Sequence, residues 1–469
     1  MTAFLRGLCL DLFLLPVIVL ALPWILFLIV VRRRGVGAFF ERLGGWRVPP
    51  ADGRPRLWIH CVSVGELQAV GPLLEELARA RPDATFILSV TTTTARDIAR
   101  SRYPSIPTFL YPIDLSLCVR RVLGRVRPDA IVLVELEVWP QLVLLASSRK
   151  IPLFVVNGRI SARSFPRLRK VRFLARPIFA RLTEVHARDE ECAERFRALG
   201  VASERVHTLG NLKLDRPALA DPAAVRERFE AQFGFETGAP RWVAGCTHPG
   251  EEEIVLEAHR TLRESISDLS LLLAPRHIER APEVIALAKE CGFEVVAASA
   301  FLKGEPTPPD RPRPDRPRAD RPRPDVVVLD EIGRLAELYA VGEVAFVGGS
   351  LIERGGHNLL EPILCGVATV HGPHMANFRE LVEWLTGGGI SIEVTAETLA
   401  ASVRGLLEES EARNERARAG LARLAESQGS AAKSAERILA RLDRAHPPRN
   451  GAESATSPAA SVESPPASR

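Results

Sequence analysis

From residue 57 onward, the sequence alternates short, unbroken apolar runs with longer amphipathic segments. Parallel strands that are buried on both faces read as continuous runs of Val, Ile and Leu, and crossover helices separate them. Helical patterns such as residues 66–80 and 115–126 lie between the runs. The strands predicted in the first half of the chain are residues 57–62, 85–90, 130–135, 151–157 and 184–187. This alternation predicts a doubly wound α/β domain.

The alternation pauses at residues 214–225, a Pro- and Asp-rich stretch that is typical of a linker, and then restarts. The strands predicted after the pause are residues 242–244, 269–274, 326–329, 344–347 and 368–370. A chain of 469 residues is too long for one hydrophobic core. We therefore predict an N-terminal Rossmann-like domain at residues 35–215 and a C-terminal one at residues 226–442. Because ligands of open α/β sheets bind at the carboxyl ends of the strands, we expect the site in a cleft that both domains face.

Residues 12–31 form an uncharged run of 20 residues. A helix that rises ~1.5 Å per residue crosses the ~30 Å hydrocarbon layer of a bilayer with a run of this length. Arg32, Arg33 and Arg34 follow directly, and such a cluster marks the cytoplasmic side. We predict an inner-membrane anchor at residues 8–31, with the remaining chain on the cytoplasmic side against anionic lipid headgroups. The alternatives are a cleaved signal peptide and a segment that enters only one leaflet.

Charge and cysteine content exclude several functions. The net charge of +5 comes from 62 basic and 57 acidic residues and is too small to indicate nucleic-acid binding. The seven cysteines are scattered without the spacing of metal ligands, so we predict no metal site. Two segments have compositions that cannot bury a core: a Pro-, Arg- and Asp-rich insertion at residues 304–325 and a tail at residues 447–469. We expect both to be disordered.

The first candidate site lies in the motif HCVSVGE, residues 60–66, where a predicted strand gives way to a helix. Gly65 allows a tight turn or the close approach of a ligand, and Glu66 enters the first helical turn. A carboxylate at this position is a candidate general base. Helix capping by Ser63, with Glu66 merely favouring the helix dipole, explains the same pattern. The local sequence leaves both interpretations open.

Charged residues also follow two later strands. Glu135 and Glu137 come after a fully apolar run, so they emerge at its carboxyl end and share a face. Crowded carboxylates near a cleft raise each other's pKa and suit acid–base chemistry, although a solvated strand end gives the same pattern. Lys213, in GNLKLD, is one of six lysines in a chain that otherwise uses Arg. A compact ammonium there stabilises an anion or lies on the surface.

Three motifs of the second predicted domain suit a phosphate-bearing ligand. They are GCTHPGEEE, APRHIER and VGGSLIERGGHNLLEP, at residues 245–253, 274–280 and 347–362. Arg276 is a candidate phosphate ligand in the second motif. In the third, glycines flank a turn that ends in Asn358 and Glu361. Backbone N–H groups of such a turn can cradle a phosphate, and a carboxylate nearby can accept hydrogen bonds from ribose hydroxyls.

The motifs occur along the chain in the order SVGE, E-x-E-x-WP, N-x-R-x-S, GNLK, THxGEE, PRH, GGHN-x-LEP and GPH-x-x-NF. In this order, over residues 35–440, the chain resembles the Kdo transferases, which attach 3-deoxy-D-manno-octulosonic acid (Kdo) to the lipid A precursor. The resemblance implies a GT-B glycosyltransferase fold, with CMP-Kdo as the donor substrate and no further cofactor. It also implies inverting transfer to the 6′-hydroxyl of lipid IVA in lipopolysaccharide synthesis.

The resemblance assigns roles by motif matching. Glu66 matches the proton acceptor, and Glu135 and Lys213 match positions that stabilise the transition state. The residues implied in nucleotide binding are Pro275, Arg276, Ile332, Gly333, Arg334, Asn358, Leu359, Leu360 and Glu361. Where the family usually reads Met-Gly-Glu, this chain reads Ile-Gly-Arg at residues 332–334, so Arg334 reverses a charge.

Two other enzyme classes fit a pair of Rossmann-like domains. Another GT-B transferase that acts on a lipid-linked acceptor would share both the fold and the anchor, and its preference for UDP-sugars over CMP-Kdo would distinguish it. A nucleotide-sugar epimerase would share the fold but needs no lipid acceptor. A non-enzymatic scaffold would have lost the acidic and phosphate-binding positions, most of which this chain retains.

Overall fold

The structure is a computed structural model. It describes residues 11, 36–46, 49, 52–216, 218–233, 235, 237–299 and 324–447. These residues divide into two compact units, one with the residues up to Asp215 and those from Ser427 onward, the other spanning Arg216–Glu426. The fold is thus α/β with two units, as predicted.

Three predicted segments fall wholly or largely outside the described residues. Of the anchor predicted at residues 8–31, only Asp11 is described. Of the insertion predicted at residues 304–325, only residues 324 and 325 are described, and of the tail predicted at residues 447–469, only residue 447. Within the described part of the chain, no helix combines the length and apolar character that crossing a membrane requires. The anchor and both disordered segments therefore stay predictions.

Seven parallel strands form the sheet of the first unit, in the order β3-β2-β1-β4-β5-β6-β7. They are Arg56–Cys61 (β1), Thr85–Val90 (β2), Thr108–Leu110 (β3), Ala130–Val134 (β4), Leu153–Gly158 (β5), Glu184–Ala187 (β6) and Val206–Thr208 (β7). The strand order reverses at β1, which is the doubly wound topology that the sequence predicts. The helices are Val36–Phe40 (α1), Val64–Ala69 (α2), Gly71–Ala80 (α3), Thr93–Arg102 (α4), Ser116–Val126 (α5), Pro140–Ser148 (α6), Phe165–Lys170 (α7), Arg172–Phe179 (α8) and Glu190–Ala198 (α9).

Both faces of this sheet are buried. Successive side chains of β1 point to opposite faces. Trp58 packs with Ile131 in one apolar cluster, and Leu57 packs with Val132 in another. Because helices cover each face, the central strands carry no alternating polar residues, which explains their unbroken apolar sequence.

The second unit has its own sheet of seven parallel strands, in the order β10-β11-β9-β8-β12-β13-β14. They are Arg241–Thr247 (β8), Ser270–Pro275 (β9), Val295–Ala297 (β10), Val326–Val328 (β11), Val344–Val347 (β12), Ala368–His371 (β13) and Ser391–Glu393 (β14). The helices are Pro222–Phe233 (α10), Glu251–Arg263 (α11), Ala281–Glu290 (α12), Leu335–Leu338 (α13), Leu360–Leu364 (α14), Arg379–Thr386 (α15), Leu399–Glu408 (α16) and Ser410–Ser427 (α17). The strand order reverses at β8, so this sheet is also doubly wound.

The last helix, Ser430–Ala445 (α18), packs in the first unit. Its residues Ile438 and Leu442 join the apolar cluster that contains Leu77 of α3. The Asp215 carboxylate accepts hydrogen bonds from the backbone N–H groups of Gly429, at 2.6 Å, and of Ala431. The predicted second domain, residues 226–442, therefore extends too far at its C-terminal end, because α18 has an apolar face that α3 buries.

The helix predicted at residues 66–80 is two helices, α2 and α3, which meet at Val70. Pro72, which lacks an N–H group, occupies the first turn of α3, where no intrahelical donor is needed. All ten predicted strands are present, with shifted ends in most cases.

Candidate active site

The candidate site of the first unit lies where the strand order reverses. Glu66 follows β1, and Glu135 follows the neighbouring strand β4. Because His60 pairs with Leu133, these two strands end side by side. Open α/β sheets bind their ligands at this point, beyond the carboxyl ends of the strands. The fold thus brings together two carboxylates that the sequence places far apart.

Glu66 makes the contacts of a helix-capping residue. Ser63 is the N-cap of α2, and its hydroxyl accepts the Glu66 N–H at 3.2 Å. In return, Glu66 Oε1 accepts the Ser63 hydroxyl at 3.2 Å, and Glu66 Oε2 accepts the backbone N–H of Val62 at 2.7 Å. The capping interpretation is correct as a description of these contacts. It does not account for the ionisation of Glu66.

The pKa of Glu66 is raised to about 7, mainly by burial and also by the charge of Glu135. The hydrogen bonds from Val62 and Ser63 and the positive charge of Lys213 oppose this rise. Only 8% of Glu66 is exposed, which explains why burial is the strongest of these effects. A carboxyl group with this pKa changes protonation state near neutral pH and suits a general base.

Lys213 pairs directly with Glu135, with 2.8 Å between Lys213 Nζ and Glu135 Oε1. Glu135 takes the left-handed conformation, with φ of 56°, at the first position after β4. Asn157, which also has a left-handed backbone, accepts the N–H of Leu212 at 3.1 Å through its side chain. Asn157 thereby fixes the short turn that carries Lys213. The ammonium and the two carboxylates around it form one charged cluster.

Glu137 is a third carboxyl group in this cluster. Its pKa is raised to about 7, mainly by burial and also by the charges of Glu66 and Glu135. The indole N–H of Trp139 donates to it at 2.9 Å and favours its ionised form. The crowding expected of Glu135 and Glu137 is therefore present, and it includes Glu66.

His60, the first residue of the HCVSVGE motif, is unsuited to proton transfer at neutral pH. Its ring is fully buried, stacks on Tyr111 with 4.1 Å between centroids, and lies 2.9 Å from the Ser89 hydroxyl. Burial lowers its pKa to about 3. His60 therefore stays neutral and belongs to the core, and this leaves the acid–base chemistry to carboxylates.

The second unit places its glycine-rich turn beyond β12, beside the strand at which its order reverses. Glu251, at the start of α11, is fully buried against this turn. Its carboxylate accepts the N–H groups of Gly349, Ser350 and Leu351 at 2.6, 2.9 and 2.9 Å, and that of His248 at 3.1 Å. The expectation that these turn N–H groups cradle a phosphate is wrong for residues 349–351, because Glu251 occupies them.

The groups that remain for an anion are side chains. Arg276 follows β9 and is exposed, and its positive charge acts on the carboxyl group of Glu361. His248 and His357 stack, with 2.9 Å between their Nε2 atoms. The pKa of His357 is lowered to about 4, mainly by burial and also by the neighbouring His248 and Arg276. One guanidinium and two neutral imidazoles can together bind a phosphate without a large excess of positive charge.

Comparison with known proteins assigns the chain to a family. Residues 37–216 match the family model described as 3-deoxy-D-manno-octulosonic-acid transferase (kdotransferase). The 3-deoxy-D-manno-octulosonic acid transferase of Haemophilus influenzae is 31% identical over 390 residues, which are 82% of this chain and 86% of that protein. The chain belongs to the Kdo transferase family. The corresponding transferase of Aquifex aeolicus is 30% identical over 347 residues, 73% of this chain and 83% of that one.

Among solved structures, the C-terminal CMP-Kdo binding domain of WaaA from Acinetobacter baumannii matches the Kdo transferase described here. The two are 27% identical, and the match covers 44% of this chain and 98% of that domain, with a TM-score of 0.38.

The nucleotide-binding residues inferred for this Kdo transferase lie at or after the carboxyl ends of β9, β11 and β12 in the second sheet. The Asn358 side chain donates to Glu361 at 3.2 Å and accepts the Leu360 N–H at 3.1 Å. The side chains of Leu359 and Leu360 are buried in the unit, so only their backbone groups can face a ligand. Pro275 is buried at the end of β9.

Residues 332–334 follow β11, which pairs with β9. Ile332 is 81% exposed, and Gly333 has φ of 84°, a backbone conformation that favours glycine. The Arg334 guanidinium donates to Glu337 at 2.8 Å and lies 3.8 Å from Glu331. The charge reversed by Arg334 is therefore compensated within the chain, and the backbone of this Kdo transferase stays available at Gly333.

Sequence reasoning missed two residues that shape these sites. Asn157 lies in the N-x-R-x-S motif and holds the turn before Lys213. Glu251 is the first acidic residue of the GEEE run and fills the glycine-rich turn. Both occur in motifs of the Kdo transferase family, so the motifs were signals, but each role depends on contacts between residues distant in sequence.

Proposed function

We propose that this protein transfers Kdo from CMP-Kdo to the 6′-hydroxyl of the lipid A precursor lipid IVA, with inversion, in lipopolysaccharide synthesis. The observation that carries the proposal is the Glu66 carboxyl group, whose pKa is about 7 and which lies in one charged cluster with Glu135 and Lys213. A sugar hydroxyl is a poor nucleophile at neutral pH. A carboxylate with such a pKa is well matched to taking its proton as it attacks.

In the proposed reaction, the acceptor hydroxyl oxygen attacks the anomeric carbon of Kdo while its proton passes to Glu66. The bond from that carbon to the phosphate oxygen of CMP breaks, and CMP leaves with the electron pair as a phosphate monoester. Attack opposite the leaving group inverts the anomeric centre. Lys213, which Glu135 holds in place, stabilises the negative charge of the transition state.

We assign the nucleotide to the second unit. Arg276 would bind the phosphate, supported by the pair of imidazoles beside it. Residues 332–334 and 358–361 would contact the rest of CMP, chiefly through backbone groups, since Leu359 and Leu360 have buried side chains. With the acceptor in the first unit and the donor in the second, the protein would be a GT-B glycosyltransferase.

We also propose that residues 8–31 anchor the enzyme in the inner membrane, with both units on the cytoplasmic side. The support is the uncharged run at residues 12–31 and the three arginines after it. A lipid acceptor is confined to the membrane, so an anchored enzyme meets it by diffusion in two dimensions.

The test is incubation of the purified full-length chain with CMP-Kdo and lipid IVA, followed by mass spectrometry of the lipid. We expect Glu66→Gln to lose transfer by about 10²-fold or more, because the amide cannot accept the proton. It should keep its melting temperature and its binding of CMP-Kdo, because Gln fills the same helix-capping position as Glu. UDP-sugars in place of CMP-Kdo should give no product.

Ser63→Ala is the matched control. It removes the N-cap hydroxyl, at a cost of about 1 kcal/mol of stability, but keeps the Glu66 carboxylate. This variant should therefore lose stability and lose far less transfer activity than Glu66→Gln, because the Val62 N–H still orients the Glu66 carboxylate. Near-normal transfer by Glu66→Gln, or an equal loss in both variants, would contradict the role proposed for Glu66.

A further inference from the structure

The short turn that carries Lys213 contacts both the first sheet and the last helix, α18. On the sheet side, Asn157 near the end of β5 accepts the Leu212 N–H at 3.1 Å. On the helix side, the Leu212 side chain is 1% exposed and belongs to the same apolar cluster as Ala431 and Ile438 of α18. The turn is therefore packed against a helix that is distant from it in sequence.

Asp215, two residues after Lys213, provides the cap of α18. Its carboxylate accepts a hydrogen bond from the N–H of Gly429 at 2.6 Å and another from the N–H of Ala431. Gly429 is the N-cap residue of α18, has a left-handed backbone with φ of 95°, and offers no side chain. The helix thus has no capping side chain of its own, and the carboxylate of Asp215 takes that place.

Gly210 brings the start of the same turn against the same end of α18. A Cβ atom at this position would clash with the hydroxyl oxygen of Ser430, so a larger residue would displace the helix. Gly210 also has φ of 103°, a backbone conformation that favours glycine. Ser430 is fully buried and Asp215 is 9% exposed. Because buried contacts of this kind are closely packed, the turn and the end of α18 cannot shift independently.

Helix α18 is itself held firmly in the first unit. Its apolar face packs with α3. Arg437, in its middle, donates to Glu184 of β6 at 2.8 Å. Asp443, near its end, pairs with Arg81, which is 4% exposed and follows α3. These contacts lie away from the turn, so α18 is a support that the rest of the unit fixes in place.

We propose that Asp215 is a positioning residue of the transfer reaction: it joins the Lys213 turn to α18 and so holds the Lys213 ammonium beside Glu135. Lys213 is 44% exposed, so water screens its ion pair with Glu135, and the pair alone orders the long side chain only weakly. The backbone that carries Lys213 is instead fixed from two sides, by Asn157 and by Asp215. The inference rests on the proposed function, in which this ammonium stabilises the transition state.

The first test is hydrogen exchange of the full-length chain, without substrates, measured by mass spectrometry. The N–H groups of residues 212–215 are all hydrogen-bonded, so their exchange reports opening of the turn. We expect Asp215→Ala to accelerate it by about 10-fold or more. The matched control is Asp443→Ala, which removes an ion pair at the far end of α18 and should leave the exchange of the turn unchanged. Unchanged exchange in Asp215→Ala would overturn the proposal.

The second test is a double-mutant cycle in the transfer assay. A residue that acts by placing Lys213 matters only while Lys213 is present, whereas a residue that merely caps α18 does not depend on it. We expect Asp215→Ala to lower kcat by about 10-fold or more and to leave the KM for CMP-Kdo nearly unchanged. In a Lys213→Met chain, Asp215→Ala should lower kcat little further. Equal losses of kcat with and without Lys213 would show that Asp215 only stabilises the fold.

Asp215→Asn keeps an acceptor oxygen for one of the two N–H groups. It should give intermediate values in both tests, and it replaces Asp215→Ala if that variant does not fold. The exchange experiment contains neither donor nor acceptor. If the unsubstituted chain transfers no Kdo, the proposed function fails, while the exchange result still decides whether Asp215 holds the turn.

Discussion

The charge cluster around Glu66 makes a prediction with a defined sign. Lys213 stabilises the ionised form of Glu66, and Glu135 destabilises it. Replacing Lys213 by Met should raise the pKa of Glu66 above about 7. Replacing Glu135 by Gln should lower the pKa of Glu66, because it removes one negative charge and releases Lys213 from its ion pair. The two variants should therefore shift the ionisation of one residue in opposite directions.

The size of the shift follows from the exposure of the pair. Lys213 is 44% exposed and Glu135 is 17% exposed, so water screens both charges in part. A unit charge placed ~7 Å from a carboxylate, at an effective dielectric of ~40, changes the free energy of ionising that carboxylate by roughly 1 kcal/mol. This energy corresponds to somewhat less than one pH unit, because about 1.4 kcal/mol equals one pKa unit. Transfer measured near pH 6 would then change several-fold for this reason alone.

The assay is the pH dependence of kcat/KM for transfer to detergent-solubilised lipid IVA, which reports the ionisation of the free enzyme. Since the base acts when ionised, the rate of the unsubstituted enzyme should rise with pH through about 7 and then level off. The midpoint should move to higher pH in Lys213→Met and to lower pH in Glu135→Gln, whatever the height of each plateau. Midpoints that stay in place, or that move in the same direction, would show that the rise of kcat/KM with pH does not report the ionisation of Glu66.

Two further predictions concern the residues that support each site. Asn157→Ala removes the acceptor of the Leu212 N–H and loosens the turn that carries Lys213. It should therefore lower kcat more than it changes the KM for CMP-Kdo. Asn157→Asp keeps an acceptor oxygen and should restore part of kcat. Glu251→Ala leaves the turn N–H groups of residues 349–351 without their acceptor. The protein should lose about 3 kcal/mol or more of stability, measured as a fall in melting temperature. It should also bind CMP more weakly, measured by calorimetry. An unchanged melting temperature in Glu251→Ala would contradict the view that its carboxylate organises this turn.

The sequence was sufficient to predict the central strands of both sheets. Strands such as Ala130–Val134 and Val344–Val347 are buried on both faces, and this burial requires an unbroken apolar run. The four strands that were missed are the outermost of the two sheets, β3, β7, β10 and β14, and each has three residues. An edge strand pairs on one side only, so its sequence has less need of continuous apolar residues.

The sites were predictable to the extent that they follow strand ends. Glu66, Glu135 and Lys213 were predicted as candidates, and the fold does bring them together. The contact of Glu251 with the glycine-rich turn was not predictable, because its partners lie about a hundred positions further along the chain. The local sequence of that turn predicts free N–H groups. Only the tertiary structure places the Glu251 carboxylate against them.

A comparison of Glu66 with Glu251 shows how one carboxylate can cap a helix and still act as a base. An ionised carboxylate has about four sites for accepting hydrogen bonds. Glu251 is fully buried and uses four, all with backbone N–H groups, so it has no capacity left for a ligand. Glu66 accepts two hydrogen bonds, from Val62 and Ser63, and keeps the remaining sites for an incoming hydroxyl. The capping contacts therefore orient the Glu66 carboxylate, while its incomplete hydrogen bonding and its burial keep its pKa near 7, where it can take a proton.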